Sequence, residues 1–297
     1  MFEERKISPE LRKQYREKGY WKDETLLDCW DRTVEKYPDR EYVVDDRGYR
    51  YTYREMDEAA GRVASYLLWL GIRPGEVVSY QLPIWSEFAM LTIACYKIGA
   101  VAHPIAMSYE EKELARSLNV TESRCYFGPT FFYKTDYEER ILAVRDQVPL
   151  LKDVVLIDSV RERKSNVPLL REILASCEPL PKERCVHTKN GQDIAVILCT
   201  SGTTGGTKGV LLTHDNVRYS EDTFNRELGL TEEDIMFMPA PLHHATGFHH
   251  AIIAPMLHGA KVVLQQKYQC RSAIELMNRE KVTYSMGATP FIYDILR

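Results

Sequence analysis

Thr200-Ser201-Gly202-Thr203-Thr204-Gly205-Gly206-Thr207-Lys208-Gly209 is the stretch around which the chain is organised. It holds four glycines, five hydroxyl residues and one lysine in ten positions. The apolar run Ile194-Ala195-Val196-Ile197-Leu198-Cys199 leads in, and Val210-Leu211-Leu212 leads out. Short continuous apolar runs read as buried strands, so the stretch is a loop joining two strands at a sheet end. Glycines let backbone N–H groups approach an anion, hydroxyls add donors, and lysine adds a point charge. That composition suits a polyphosphate cradle. The competing reading, a flexible Ser/Thr/Gly connector, is weakened by the strong strand on either side. A Walker-type loop needs Gly-Lys-Ser/Thr followed by a helix. Here Thr207 precedes Lys208, Gly209 follows and a strand comes next.

Outward from the loop, 297 residues suffice for one large or two modest domains. The 44% apolar and 28% charged composition is that of an ordinary globular protein. A net charge of −4 argues against nucleic-acid binding as the main role. The seven cysteines, at 29, 95, 125, 177, 185, 199 and 270, form no Cys-x-x-Cys pair and read as reduced thiols of a cytoplasmic protein. The charged start, Met1 to Lys6, has no apolar signal core behind it. The longest apolar candidate, Leu82 to Pro104, is broken by Pro83, Glu87 and Lys97, so no membrane span is expected.

In chain order, Ser8 and Pro9 open a charged helix over 8–18, and Tyr20 and Trp21 follow as an aromatic anchor. Leu26, Leu27, Trp30 and Val34 lie at helical spacing over about 25–37. These two helices, residues 1–40, read as a lead docked on the surface of an α/β portion over 41–297. A hairpin is expected around Asp46-Arg47-Gly48, and Thr52-x-x-Glu55 is a capping box for a helix ending at Gly71. Strands at 77–82, near 101, at 125–127 and at 154–157 alternate with helices at 85–98 and after a Ser108-x-x-Glu111 cap. The segment 159–192 reads as a connection with a short helix near 169–176. After the loop, Thr213 to Asn216 caps a helix to about 227. Strands at 235–238, 261–264 and 282–286 follow, with a helix at 272–279 between the last two. The alternation predicts an α/β fold, layered, with a largely parallel sheet.

Pro241-Leu242-His243-His244-Ala245-Thr246-Gly247-Phe248-His249-His250 places four of the chain's eight histidines together. The pairs lack the i, i+4 face of a zinc helix, and no Glu or Cys lies near in sequence, although distant ligands stay open. The plain reading is a helix start at which His249 and His250 are simply exposed.

These residues also resemble a known family. Thr-Ser-Gly-Thr-Thr-Gly-x-x-Lys-Gly is similar to the phosphate-binding loop of the adenylate-forming superfamily, which includes acyl- and aryl-CoA synthetases. Thr207 stands where the family usually has proline, a change that bears on loop rigidity. Ser8 to Trp21 resembles the lead of dihydroxybenzoate-activating and cyclic-carboxylate CoA ligases. The resemblance implies that Thr200, Ser201, Gly202, Thr203, Thr204, Gly205 and Lys208 bind ATP, with Thr204 meeting Mg2+ through the nucleotide. It implies that His244, like Lys208, is catalytic, meeting the incoming carboxylate and the α-phosphate. His243, Thr246 and Phe248 would lie around the acyl pocket, with Gly287, Ala288 and Pro290 on its far side.

The implied activity is ATP-dependent conversion of a carboxylic acid to acyl-AMP, followed by CoA thioester formation. The family's Tyr-Gly-x-Thr-Glu and Thr-Gly-Asp segments do not occur before Arg297, nor does its C-terminal domain. The expectation is therefore the N-terminal part of an acid–CoA ligase, itself weakly active or inactive. An aryl-AMP ligase feeding a carrier protein, and a non-catalytic anion-binding or interaction module, are the alternatives. Which acid is used, and the oligomeric state, are not legible in the sequence.

Overall fold

A computed structural model describes residues 7–201 and 207–297. The strands are β1 (Glu41–Asp45), β2 (Arg50–Thr52), β3 (Val77–Tyr80), β4 (Val101–Pro104), β5 (Cys125–Pro129), β6 (Phe131–Phe132), β7 (Thr135–Asp136), β8 (Asp153–Ile157), β9 (Ile194–Ser201), β10 (Thr207–Thr213), β11 (Ile235–Met238), β12 (Lys261–Leu264) and β13 (Tyr284–Ser285). One sheet has the order β10-β9-β4-β3-β5-β8, all parallel except β10, which returns antiparallel to β9. The second has the order β13-β11-β12-β1-β2, parallel except for the β1–β2 hairpin. Parallel neighbours need long crossovers, and helices supply them.

The main helices are α1 (Pro9–Glu17), α2 (Leu26–Lys36), α3 (Tyr53–Trp69), α4 (Ser86–Lys97), α5 (Glu111–Val120), α6 (Tyr137–Arg145), α7 (Leu170–Ser176) and α8 (His214–Leu228). Towards the end come α9 (Ala245–Gly247), α10 (Ala254–His258), α11 (Cys270–Glu280) and α12 (Thr289–Ile295). Every residue of α4 is buried, as befits a helix that is apolar all round. It touches β3 and β4 of one sheet and β1 of the other, so it lies between them. Both faces of the sheets are covered. Phe127 and Val155 face the central layer while Tyr126, Val154 and Leu156 pack on Leu114, Leu118, Ile141 and Val144 of α5 and α6. In the second sheet Met236 and Val262 face the centre while Phe237 and Val263 pack on Ala273 and Leu276 of α11. The result is a five-layer stack, α5/α6, sheet, central helices, sheet, α11, with the largest core cluster in the middle.

The start of α4 is capped from outside the helix. Its N-cap position, Trp85, makes no side-chain cap bond. Instead Asp45 Oδ2, at the end of β1, accepts from the Ser86 N–H at 3.2 Å and from its hydroxyl at 3.0 Å. Arg47 then bridges Asp45 and Glu87, and its guanidinium lies 4.3 Å from the Trp85 ring centroid. A carboxylate at a helix start meets both the free N–H groups and the positive end of the dipole.

Several expectations are corrected. Helix α2 is no surface lead, because Leu26, Leu27 and Trp30 belong to the main core. Of these two helices, α1 alone buries none of its residues. Ser108 does not cap α5; the N-cap position is Glu110, without a side-chain cap bond. The β6–β7 hairpin and α6 behind it lie where the sequence pattern predicts nothing. In contrast, the capping boxes at Thr52/Glu55 and Thr213/Asn216 are both formed.

Candidate active site

The loop sits where its flanking strands place it. Strands β9 and β10 pair in the register Thr207↔Ser201, Lys208↔Thr200 and Gly209↔Cys199, so the loop closes a hairpin at the carboxyl end of β9. Gly202, Thr203, Thr204, Gly205 and Gly206 lie outside the described residues, as do the side chains of Thr200, Ser201 and Thr207. Lys208 is exposed beside the loop. A Cβ on Gly209 would stand 3.0 Å from Ile197 Cγ2, so glycine lets the returning strand lie close against β9. Beneath the strand, His103 is fully buried between Ser79 Oγ at 2.7 Å and Cys199 Sγ at 3.5 Å. Burial pushes its imidazole down to about 3, which keeps it neutral.

The histidine segment leaves the carboxyl end of β11 in the second sheet. Leu242 is buried and anchors it. His243 is half-buried and His244 exposed, with ring centroids 4.3 Å apart. Burial, and then the charge of His244, pushes His243 down to about 4. His244 occupies the N-cap position of α9, and its carbonyl accepts from the Phe248 N–H at 2.8 Å. Thr246 is half-buried. Phe248 has no exposed surface; its ring packs on Phe88 in the core, which removes it from the surface open to a substrate.

The far wall also comes to this place. Strand β13 pairs with β11 in parallel, Phe237 opposite Ser285, so both chains emerge together. Gly287 lies against Pro239, where a Cβ would stand 2.9 Å from Pro239 Cγ. Ala288 is exposed at the N-cap of α12. Thus His243, His244, Gly287 and Ala288 gather at adjacent strand ends, and the loop lies at the carboxyl end of a strand in the other sheet. Crevices at carboxyl strand ends are where open α/β sheets bind ligands. A cavity of about 620 Å³ lies elsewhere, at the amino ends of β3, β4 and β9, lined by Val77, Tyr96, Val101 and His214. It contains none of these residues.

His249 and His250 are not simply exposed. Both donate from Nδ1 to the Glu221 carboxylate, at 3.0 and 2.9 Å. Sequence reading missed Glu221. The available signal was a carboxylate four residues from Val217 and from Asn225 on the buried face of α8. Both histidines fall in a six-residue π-helical turn, Phe248–Ile253, a device that recurs at functional sites.

A glycine-rich hairpin at one carboxyl strand end and a turn bearing His243 and exposed His244 at another thus belong to one layered α/β fold, the fold of adenylate-forming enzymes. The chain belongs to the AMP-binding enzyme family, whose model matches residues 30–297. It is 40% identical over 290 residues to the medium-chain fatty-acid–CoA ligase of Escherichia coli K12, covering 98% of this chain and 50% of that protein. It is 27% identical over 282 residues to the 2,3-dihydroxybenzoate-AMP ligase of Bacillus subtilis 168, covering 95% of this chain and 50% of that one. The apo structure of Mycobacterium smegmatis MbtA shares the fold, with a TM-score of 0.84 at 24% identity over 94% of this chain and 51% of that chain. The chain spans about half the length of the relatives it matches. Among the described residues no helix is long and apolar enough to cross a membrane.

Proposed function

We propose that these residues form part of an AMP-forming acid–CoA ligase, with a medium-chain fatty acid as the favoured substrate. The single observation that carries this reading is the 40% identity, over nearly the whole chain, to a medium-chain fatty-acid–CoA ligase. The site residues agree with it. Exposed Lys208 at the loop and exposed His244 at the strand ends of the second sheet are cationic or donor groups suited to phosphate and carboxylate oxygens.

In this reading the fatty carboxylate attacks the α-phosphorus of ATP. The Pα–O bond to pyrophosphate breaks, pyrophosphate leaves, and acyl-AMP forms. Lys208 and the loop hydroxyls hold the β- and γ-phosphates, and His244 donates to oxygen as charge shifts in the transition state. The CoA sulfur then attacks the acyl carbon, its proton passing to water, and the acyl C–O bond to AMP breaks as AMP departs. Among the described residues no group of three or more His, Cys, Asp or Glu could hold a metal. Mg2+ would be carried on the triphosphate near Thr204, where it would offset phosphate charge. All seven cysteines are free, which agrees with a cytoplasmic enzyme.

A second reading, an aryl-AMP ligase feeding a carrier protein, is supported by the 27% identity to the dihydroxybenzoate enzyme. The test is product analysis with the full-length protein that carries these 297 residues. Octanoate with ATP and CoA should give octanoyl-CoA. Turnover of 2,3-dihydroxybenzoate to the adenylate, with no CoA thioester from any acid, would favour the second reading.

A further inference from the structure

The group that holds the histidine segment in place lies outside it. Glu221, on α8, has none of its side chain exposed. Its Oε1 accepts from His249 Nδ1 at 3.0 Å and from the Ser220 hydroxyl at 3.2 Å; its Oε2 accepts from His250 Nδ1 at 2.9 Å. An ionised carboxylate out of water is costly unless its oxygens are hydrogen-bonded. Burial pushes the Glu221 carboxyl up, but the two imidazole bonds together outweigh it and hold the group at about 2.

A carboxylate only accepts, so both rings must present Nδ1–H to it. The other nitrogen of His249, Nε2, is buried and has no hydrogen-bond partner among the described residues. The π-helical turn explains how neighbours in sequence reach one carboxylate. More residues per turn than an α-helix means less rotation between consecutive side chains, and both histidines fall within Phe248–Ile253.

One turn further along α8, Asn225 Nδ2 donates to the Ala254 carbonyl at 3.0 Å and to His258 Nδ1 at 2.8 Å. Helix α8 thus grips the stretch 245–258 at two levels. It also begins where β10 ends, with Thr213 as its cap. The hairpin that bears the loop and the turn that bears His244 are therefore joined through one helix.

We propose that Glu221 is the positioning residue of this site: by fixing His249 and His250 it sets where the His243–His244 turn stands relative to the loop-bearing strands. Its catalytic consequence rests on the ligase reading; its geometric content does not.

The test is nitrogen-15 NMR of the imidazoles in this chain, with His244 as reporter. In the wild type, His249 and His250 both show the Nδ1–H tautomer. Glu221→Gln keeps the shape but offers one acceptor oxygen, so at least one ring changes tautomer and the His244 resonances move. His250→Asn, whose side-chain N–H stands where Nδ1–H stood, leaves His244 unmoved, whereas His250→Gln does not. An Nε2–H tautomer at either ring in the wild type overturns the proposal. So does a folded Glu221→Gln protein with unmoved His244 resonances. If Glu221→Gln does not fold, the wild-type tautomers and the Asn/Gln pair decide. In the full-length protein, Glu221→Gln should lower kcat for acid-dependent ATP–pyrophosphate exchange about tenfold with KM for ATP unchanged. An unchanged kcat per folded molecule counts against the proposal. No exchange in the wild type would contradict the ligase reading while the tautomers still decide this one.

Discussion

Gly247 and Pro241 meet so closely that a Cβ on residue 247 would stand 2.2 Å from the Pro241 carbonyl oxygen. The same oxygen accepts from the His244 N–H at 3.3 Å. The contact folds the segment back on itself and presents His243 and His244 at the bend. Gly247→Ala must push the bend open or shift α9. The expected cost is about 1–3 kcal/mol, read as a lower urea midpoint at unchanged m-value. An unchanged midpoint would contradict the contact.

Asp45→Asn should destabilise the protein by about 1–2 kcal/mol, because the neutral amide accepts more weakly from Ser86 and no longer balances Arg47. Urea denaturation checks it. Serine at 86 replaced by alanine removes one of the two bonds and should cost less, since the backbone N–H remains.

Acid should destabilise in two windows. His103 and His214 are pushed down by burial, to about 3 and about 4. The unfolded chain therefore takes up protons near the ordinary histidine value while the folded chain does not. Stability falls as pH drops from about 6.5 to about 4, by up to about 1.4 kcal/mol per pH unit for each group. Lower down, the depressed carboxylates act. Glu280 is held at about 2 by its bonds to Arg50 and then Lys261, and Glu221 at about 2 by its two histidines against burial. Their contributions are present above about pH 4.5 and are lost as pH falls towards about 2. Urea midpoints at pH 7.5, 5.5 and 4 should decline throughout; a flat profile between 7.5 and 5.5 would rule out the neutral buried histidines.

Much of the fold was legible because local chemistry and tertiary role coincide. Thr52 and Glu55 form their capping box, and the apolar run at 86–97 becomes a helix buried on every side. The β9–loop–β10 hairpin follows from two apolar runs around glycines. Other features depend on residues distant in sequence. Asp45 caps a helix that starts forty-one positions later, and Glu221 holds histidines twenty-eight and twenty-nine positions on. No local pattern encodes such pairs. Phe248 shows the converse: an aromatic beside candidate site residues is drawn into the core because Phe88 waits there. Composition picked out the loop and the histidine segment and the resemblance to adenylate-forming enzymes gave them roles, but only the folded chain brings Gly287 against Pro239.

His244→Ala should separate chemistry from folding. The side chain is exposed, so its loss should change stability by less than about 0.5 kcal/mol. Adenylation by the full-length protein should fall roughly 100-fold, the scale of a lost donor to developing charge. A variant that is destabilised yet keeps its rate would return His244 to a structural role.

Octanoate-dependent ATP–pyrophosphate exchange, measured on the full-length protein with and without Lys208→Ala, tests the acid-activating site most directly. The prediction is exchange that requires the carboxylate and falls at least about tenfold in the variant, with the fold intact. Exchange absent with every acid offered, or equal in the two proteins, would contradict it.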